Sequence, residues 1–557
     1  MNNIKTKNLI IFIVTTAISY FLIMNIMLCL TPPIARDALI HHLAIPKLWI
    51  NHGGFYDMPW AVYSYYPMNL DLLYLISLYF GNDIIPNLIH LGFGFGTALI
   101  IYFYLKSRFN QIDGLLGFLI FISTPVISKL STMAYVDLGM VFFITASVLS
   151  FIQWRDSKYD QSRWLLISAA AMGLALGTKY SSLVPWFFVT LAIIFIYSRD
   201  TGNSDKALKY GLIFFIISLA VFSPWLVKNF ILTGNPFYPL FPGVFNSGGN
   251  GNANALAFVH SNASLFKTRG LLFGESMWEI LLIPLRIFFQ GQDNSPRYFD
   301  GVLNPILILF VPFAFMKKRM KIEKYFFLYF SFFIILVALF LDQIRIRYIL
   351  PAIPFLAILS VMGFMNVFNW LIKRKSIYLR RISSSGLVIM LVLLLSLNVI
   401  YIYQYFLKID PVRYLTNRET RDDFIARHDG SYSAIMYVNS HTHKDSRIRL
   451  ILLAGRGYYL DRIYQEDRSM GMSVIKGMID HSDSGKLFQQ YLSSLNCTHL
   501  IIRHELFEPY IQEKFNSEKV NQLKKQMSDT LMKIYDDNHY RVFCVAKQKC
   551  ERDVRFR

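Results

Sequence analysis

Two aspartates and a few cations stand where long apolar runs of the chain end, and that placement gives them chemical uses. The segment Arg36-Asp37-Ala-Leu-Ile-His41-His42-Leu-Ala-Ile-Pro46-Lys47 begins just after the first apolar run stops. A carboxylate there sits at a membrane surface and can meet a lipid-borne head group without lying in hydrocarbon. A solvated interfacial Asp beside Arg36 is the plainer alternative. Asp137, in Ala134-Tyr135-Val136-Asp137-Leu138, opens another apolar run, where it would either cap a helix N-terminus or join Asp37 in one site. In a shared site one carboxylate acts as general base on an acceptor while the other binds the acceptor or a cation.

Asp37 and His41 are four residues apart and share a helix face, so with Asp137 they form a candidate set for a divalent ion; a surface histidine pair is the alternative for His41 and His42. That ion is the only cofactor the sequence raises. The cations on the same side are Lys47, Lys228, Arg286, Arg297, Arg345 and Arg347. Arg345 and Arg347 stand two apart at the entrance of an apolar run, where a guanidinium can hold a lipid-linked phosphate bidentately or snorkel to head groups. Lys179-Tyr180 reads the same way. The Gly-rich stretch 246–254 lacks the strand, helix and Lys-Ser/Thr of a phosphate-binding loop and reads as a flexible outer loop. Ala454-Gly-Arg456-Gly-Tyr458-Tyr459 is not a dinucleotide fingerprint. The 4 cysteines, at 29, 497, 544 and 550, have no CxxC spacing; Cys497 and Cys544 fall on two predicted strands and would be placed to pair in an oxidising compartment.

The elements that must position these groups are membrane spans. With 557 residues, 54% hydrophobic, 16% aromatic and only 17% charged, the chain is neither disordered nor a set of soluble domains, and so few cysteines exclude a disulfide scaffold. Asn8 to Leu30 is long enough to cross a ~30 Å hydrocarbon core and follows Lys5 and Lys7, which predicts an uncleaved anchor with a cytoplasmic N-terminus. Ten more runs follow, near 86–105, 114–128, 138–153, 163–179, 183–198, 209–227, 302–316, 325–341, 351–372 and 385–406, for about eleven spans. Asn69 to Phe80 is too short to cross and is predicted to be interfacial or re-entrant.

Loop charge tests this arrangement. Lys106-Ser-Arg108, Arg155 with Lys158, Arg199 with Lys206 and Lys209, Lys317-Lys318-Arg319 and Lys373-Arg374-Lys375 all fall on the N-terminal side. The opposite face receives 31–67, 128–137, 228–301, 342–348 and everything after about 405. The net charge of +20, which in a soluble protein would suggest nucleic acid, is thereby a topology signal; no nucleic-acid partner is expected. Residues 406–557 hold 25 Lys and Arg against 20 Asp and Glu, only a +5 share. There apolar runs shorten to strand length at Ile448 to Leu453, Leu500 to Ile502 and Tyr540 to Ala546, between helical stretches Asp423 to Asn439 and Phe515 to Leu531. The expected architecture is a polytopic α-helical membrane domain, 1–405, followed by an extracytoplasmic α/β domain, 406–557.

Asp37-Ala-Leu-x-x-His42-Leu-x-x-Pro46-Lys47-x-x-x-x-x-Gly53, Tyr66-Pro67, Ala134-Tyr135-x-Asp137, Gly177-Thr178-Lys179-Tyr180, Asn229-(x5)-Asn235-Pro236-x-Tyr238-Pro239 and Arg347-Tyr348-x-x-Pro351, in that order, resemble bacterial GT-C glycosyltransferases. The nearest group is that of protein O-mannosyltransferases and lipid A aminoarabinose transferases. The resemblance runs through most of 1–405 and touches the tail at Tyr437-Val-Asn439 and Gly455-Arg456-Gly-Tyr458-Tyr459. It implies a bacterial inner-membrane enzyme that moves a sugar from a polyprenyl-phosphate donor to a lipid, glycan or protein acceptor outside the cytoplasm. It also implies an essential acidic residue matching Asp37 and a second matching Asp137. Asp37-Ala38 stands where those groups carry Asp-Glu, and Tyr65-Tyr66-Pro67-Met68 lacks their later acidic residue, so the acceptor does not carry over.

The expected reaction is an inverting displacement at the anomeric carbon, with Asp37 and Asp137 catalytic and His42, Lys47, Lys179, Tyr180, Arg345 and Arg347 binding substrate or phosphate. A lipid-linked sugar flippase, transporter or polysaccharide polymerase is the competing class. Transporters tend to show paired broken helices, which this sequence lacks.

Overall fold

The computed structural model describes residues 2–245, 265–339, 344–374, 376–466 and 469–545. The Gly-rich stretch 246–254, the first residues of the 342–348 turn and Cys550 lie outside the described residues. The chain divides into two compact units. The first comprises Met1–Thr31, Tyr66–Leu73 and Ile84–Leu415, and the second Pro32–Tyr65, Tyr74–Asp83 and Thr416–Arg557.

Among the described residues the first unit holds seven helices long and apolar enough to cross a membrane: Lys5–Cys29, Ile85–Arg108, Asp137–Asp156, Tyr180–Thr201, Ser204–Thr233, Ile346–Leu371 and Ile377–Ile409. Three more apolar helices, Gln111–Ser123, Arg163–Leu176 and Ile306–Met316, are shorter. Each of the eleven expected apolar runs carries a helix or part of one, and local features shorten or charge some of them. The run near 114–128 is cut because Pro125 has no N–H to continue the helix, which stops at Ser123 and restarts as Pro125–Leu130. Lys321–Ala338 carries Lys321, Glu323 and Lys324 in its first turn, with Glu323 and Lys324 buried. Asn69–Tyr79, at 11 residues, is the short helix expected.

Helix packing here relies on glycine where backbones meet. A Cβ on Gly363 would stand 1.8 Å from the Phe310 carbonyl oxygen, and one on Gly173 2.6 Å from that of Ser218. In lipid, where apolar faces gain little by leaving one hydrocarbon for another, such close approach supplies much of the helix association. Ile346–Leu371 is 89% buried over its apolar window and Ile377–Ile409 only 22%, which makes the former the central span and the latter peripheral.

The second unit is built on a five-stranded sheet in the order β2-β1-β3-β5-β4. Its strands are β1 (Arg447–Ile451), β2 (Ile463–Gln465), β3 (His499–Arg503), β4 (Met532–Asp536) and β5 (Tyr540–Cys544). β1 runs parallel to β2 and β3, and β5 antiparallel to β3 and β4. Alternation sends Ile448, Leu450, Ile501 and Val542 to one face, against Ala434, Ile435 and Val438. Ile451, Leu500 and Ile502 go to the other, against Val474, Ile475, Phe488 and Leu523. Helices cover both faces, as a sheet with a parallel core requires. The helix expected over Asp423 to Asn439 is two, Arg421–His428 and Tyr432–His441, broken at Asp429-Gly430. The anticipated Cys497–Cys544 pair is absent: Cys497 is a free thiol, whereas Cys544 is disulfide-bonded.

Candidate functional site

Asp137 does not cap its helix. It occupies the first turn of Asp137–Asp156 without a side-chain bond to the helix amides. The Leu138 N–H, one of the donors a helix start leaves unsatisfied, goes instead to Nε2 of His90 at 2.9 Å. Nδ1 of His90 lies 2.9 Å from the Leu130 carbonyl oxygen, so the ring is the neutral tautomer with its proton on Nδ1. His90 is fully buried in the Ile85–Arg108 span, and its two bonds hold both ends of the segment that delivers Asp137.

Relieved of capping, the Asp137 carboxylate is available to other groups. It is 1% exposed; Lys179 Nζ donates to Oδ1 at 2.7 Å, and Oδ2 has no hydrogen-bond partner among the described residues. Arg347 and His90 act on it through space. Lys179 is delivered by the turn that ends Arg163–Leu176. Gly177 there packs against Asn69 so closely that a Cβ would meet Asn69 Nδ2 at 2.3 Å, and the Asn69 N–H donates to the Gly177 carbonyl at 2.9 Å. Asn69 Oδ1 accepts from Trp225 Nε1 at 2.8 Å, tying this turn to Ser204–Thr233.

Tyr180 follows Lys179. Its hydroxyl donates to the Tyr238 carbonyl at 3.1 Å and accepts from Asn229 Nδ2 at 3.1 Å, while its ring meets Tyr66 edge-on at 5.5 Å. The scattered motif residues Tyr66, Asp137, Gly177 to Tyr180, Asn229 and Tyr238 therefore form one connected polar cluster in the first unit. Arg345, the extended residue just before the 3-10 turn that carries Arg347, faces Asp300 at 3.8 Å. Arg286 pairs with Glu275, the Arg297 guanidinium lies over the Tyr298 ring at 5.5 Å, and Lys228 sits over the Trp225 ring at 4.8 Å.

In the second unit Asp37, partly exposed, precedes a π-helical turn, Ala38–His42, closed by the Leu43 N–H to the Ala38 carbonyl at 2.9 Å. Single π turns recur at functional sites. His41 stacks on Tyr63 at 4.3 Å and lies 4.0 Å from the His42 ring. His42 is buried. Lys47, on the Ala44–His52 helix, donates to the Tyr458 and Leu460 carbonyls at 2.8 and 3.3 Å and to Asp461 at 2.8 Å. The Tyr458 N–H bonds the Leu39 carbonyl, and Tyr459 Oη donates to that of Pro33, so the Asp37 segment is anchored on the loop leaving β1. Among the described residues no group of three His, Cys, Asp or Glu side chains is placed to hold a metal ion.

Sequence reasoning had passed over His90 and had given Asn69 and Asn229, seen only as a helix start and a motif position, no role. Each carried a signal, a buried polar residue within or beside an apolar run, which lipid makes costly unless it bonds something.

Residues 84–227 match the family described as dolichyl-phosphate-mannose-protein mannosyltransferase. No curated protein matches the chain. Among solved structures, ArnT from Cupriavidus metallidurans bound to undecaprenyl phosphate is similar, with a TM-score of 0.59 and 12% identity over 96% of this chain and 98% of that one. The archaeal oligosaccharyltransferase AglB from Archaeoglobus fulgidus, in complex with an inhibitory peptide and a dolichol-phosphate, is similar at a TM-score of 0.50 and 12% identity, over 96% and 74%. The same oligosaccharyltransferase in complex with Zn and sulfate gives a TM-score of 0.54 and 12% identity, over 95% and 73%. The chain therefore has the fold of these solved structures, the GT-C fold that the sequence resemblance implies.

Proposed function

We propose that the chain is an integral membrane glycosyltransferase that moves a sugar from a polyprenyl-phosphate-linked donor to an acceptor hydroxyl on the extracytoplasmic face. The observation that carries this reading is the buried Asp137 carboxylate at the mouth of a span, held by Lys179 on one oxygen and approached by Arg347. Cations assembled around a fixed anion at the lipid surface suit a phosphate that gains charge as it leaves. The undecaprenyl phosphate and dolichol-phosphate in the similar structures support the same donor class.

In the reaction the acceptor oxygen attacks the anomeric carbon and the bond from that carbon to the phosphate oxygen breaks with inversion. The electron pair leaves with the polyprenyl phosphate, stabilised by Lys179 and Arg347. Asp37 takes the hydroxyl proton. Asp137 holds Lys179 in position. Five basic loop clusters on the N-terminal side support placing this chemistry outside the cytoplasm.

The test is transfer in liposomes from a radiolabelled polyprenyl-phosphate sugar into membrane acceptors. Wild type should form a glycosidic product that Asp37→Asn and Asp137→Asn, present at normal levels, do not. Translocation of the labelled lipid without a new glycosidic bond would replace this reading with a flippase.

A further inference from the structure

The second unit contains a cavity of about 490 Å³ lined by Lys47, Ile50, Asn51, Leu78, Gly81, Asp83, Arg421 and Tyr458. Of the candidate site residues, Lys47 is among its lining. Its polar lining is organised around Asp83, whose Oδ2 accepts from Arg421 Nη2 at 2.5 Å and from Tyr458 Oη at 3.1 Å. Burial and then the Asp83 charge push the Tyr458 hydroxyl well above its ordinary pKa, so it stays protonated and remains a donor.

The charges in this cavity do not suit an anion. Lys47 spends its three protons on the Tyr458 and Leu460 carbonyls and on Asp461. Arg421 is paired with Asp83 and Lys47 with Asp461, so each cation is matched by its own carboxylate, whereas at Asp137 two cations, Lys179 and Arg347, act on one. Two polar groups remain unspent among the described residues: Oδ1 of Asp83, an acceptor, and the exposed amide of Asn51, both donor and acceptor. Ile50 and Leu78 add apolar surface beside them. Alternating acceptor and donor groups next to an apolar wall are what a sugar ring, with its hydroxyl edge and C–H face, requires.

The fold supports the location. Tyr458 belongs to the loop leaving the carboxyl end of β1, where the chain turns to β2 on one side before β3 forms on the other, and such switch points are where open α/β sheets take ligands. That loop holds Leu452 and Ala454 at φ 62° and 56°, conformations that side chains rarely adopt and that concentrate at binding sites.

We propose that this cavity binds a neutral saccharide. Resting on the glycosyltransferase reading, that saccharide is the glycan part of the acceptor or the sugar of the donor. The experiment is saturation-transfer NMR on the full chain in detergent, with free glucose, galactose, mannose and N-acetylglucosamine as probes and inorganic phosphate as competitor. At least one sugar should bind, about tenfold more weakly in Asn51→Ala and in Asp83→Asn, the loss expected for one hydrogen bond to a charged or well-placed partner. Phosphate should not displace it. Asn51 is exposed, so its variant keeps the fold if Asp83→Asn does not. Binding by none of the four sugars, displacement by phosphate, or unchanged binding in Asn51→Ala would overturn the proposal. In the transfer assay a raised acceptor KM in Asn51→Ala identifies the acceptor glycan and a raised donor KM the donor sugar. Transfer that persists while no sugar binds the cavity overturns the cavity and leaves the enzyme reading standing.

Discussion

Lys179 Nζ stands 2.7 Å from Oδ1 of Asp137, and the pair differs from a surface ion pair because the carboxylate is 1% exposed. Removing the lysine leaves a buried charge with less compensation, which costs more than the pair contributes when intact. Lys179→Met should therefore lower stability by about 2 to 3 kcal/mol, the low end of the range because Lys179 is partly exposed and Arg347 remains nearby. Adding Asp137→Asn should return part of that loss, though both variants should be inactive in sugar transfer. Apparent melting temperatures in detergent check this. A double variant no more stable than Lys179→Met would mean that the carboxylate is not held by the lysine.

The His90 ring satisfies two buried backbone groups at once, the Leu138 N–H and the Leu130 carbonyl. His90→Ala orphans both, at about 1 to 2 kcal/mol each. The position of Asp137 depends on those bonds, so kcat for transfer should fall with little change in donor KM. His90→Gln, which keeps a donor and an acceptor, should restore part of the activity. A His90→Ala enzyme with wild-type kcat would limit this histidine to packing.

Much of this was legible in the sequence because lipid writes strong signals. Runs of apolar residues and basic loops located the spans, and 11 residues from Asn69 marked a helix too short to cross. Asp137, Lys179 and Tyr180 were named from their positions at span ends. The rest depended on information that composition does not carry. Arg345 and Arg347 look equivalent when read two apart, but Arg345 is extended and faces Asp300, while Arg347 lies inside the 3-10 turn that follows and acts on Asp137. Lys47 looked like a free cation because its partners lie over 400 positions away, on the loop after β1. β2, three residues long, and β4, broken by a register shift, are too short or irregular for an alternation pattern to register.

Glu275 is buried between Arg269, 2.8 Å from its Oε1, and Arg286 at 3.1 Å. Burial alone would raise its pKa, but hydrogen bonds from the two guanidiniums outweigh burial and hold it below the usual glutamate range. A carboxyl depressed in the folded state stabilises fully above its unfolded value, about 4.3, and loses that contribution as pH falls through the folded value. Wild type should therefore be more stable than Glu275→Gln at neutral pH, with the gap closing as pH drops below about 4.3. Thermal unfolding of both proteins across that range is the measurement. A gap that stays constant or widens in acid contradicts the assignment.

The sulfur chemistry is testable without any substrate. Cys29 and Cys497 are free, and Cys544 is disulfide-bonded, so alkylation after denaturation without reductant should mark Cys29 and Cys497 but reach Cys544 only after reduction. In the native protein burial pushes the Cys497 thiol up to about 11, against a smaller opposing effect of Arg449. At pH 7 roughly one thiol in ten thousand is then the reactive thiolate, so maleimide labelling of Cys497 should be slow and accelerate about tenfold per pH unit up to pH 10. Mass spectrometry of labelled peptides reads both outcomes. Rapid native labelling of Cys497 at pH 7 would show a thiol more exposed than the fold places it, and a label on Cys544 before reduction would mean that Cys544 is free.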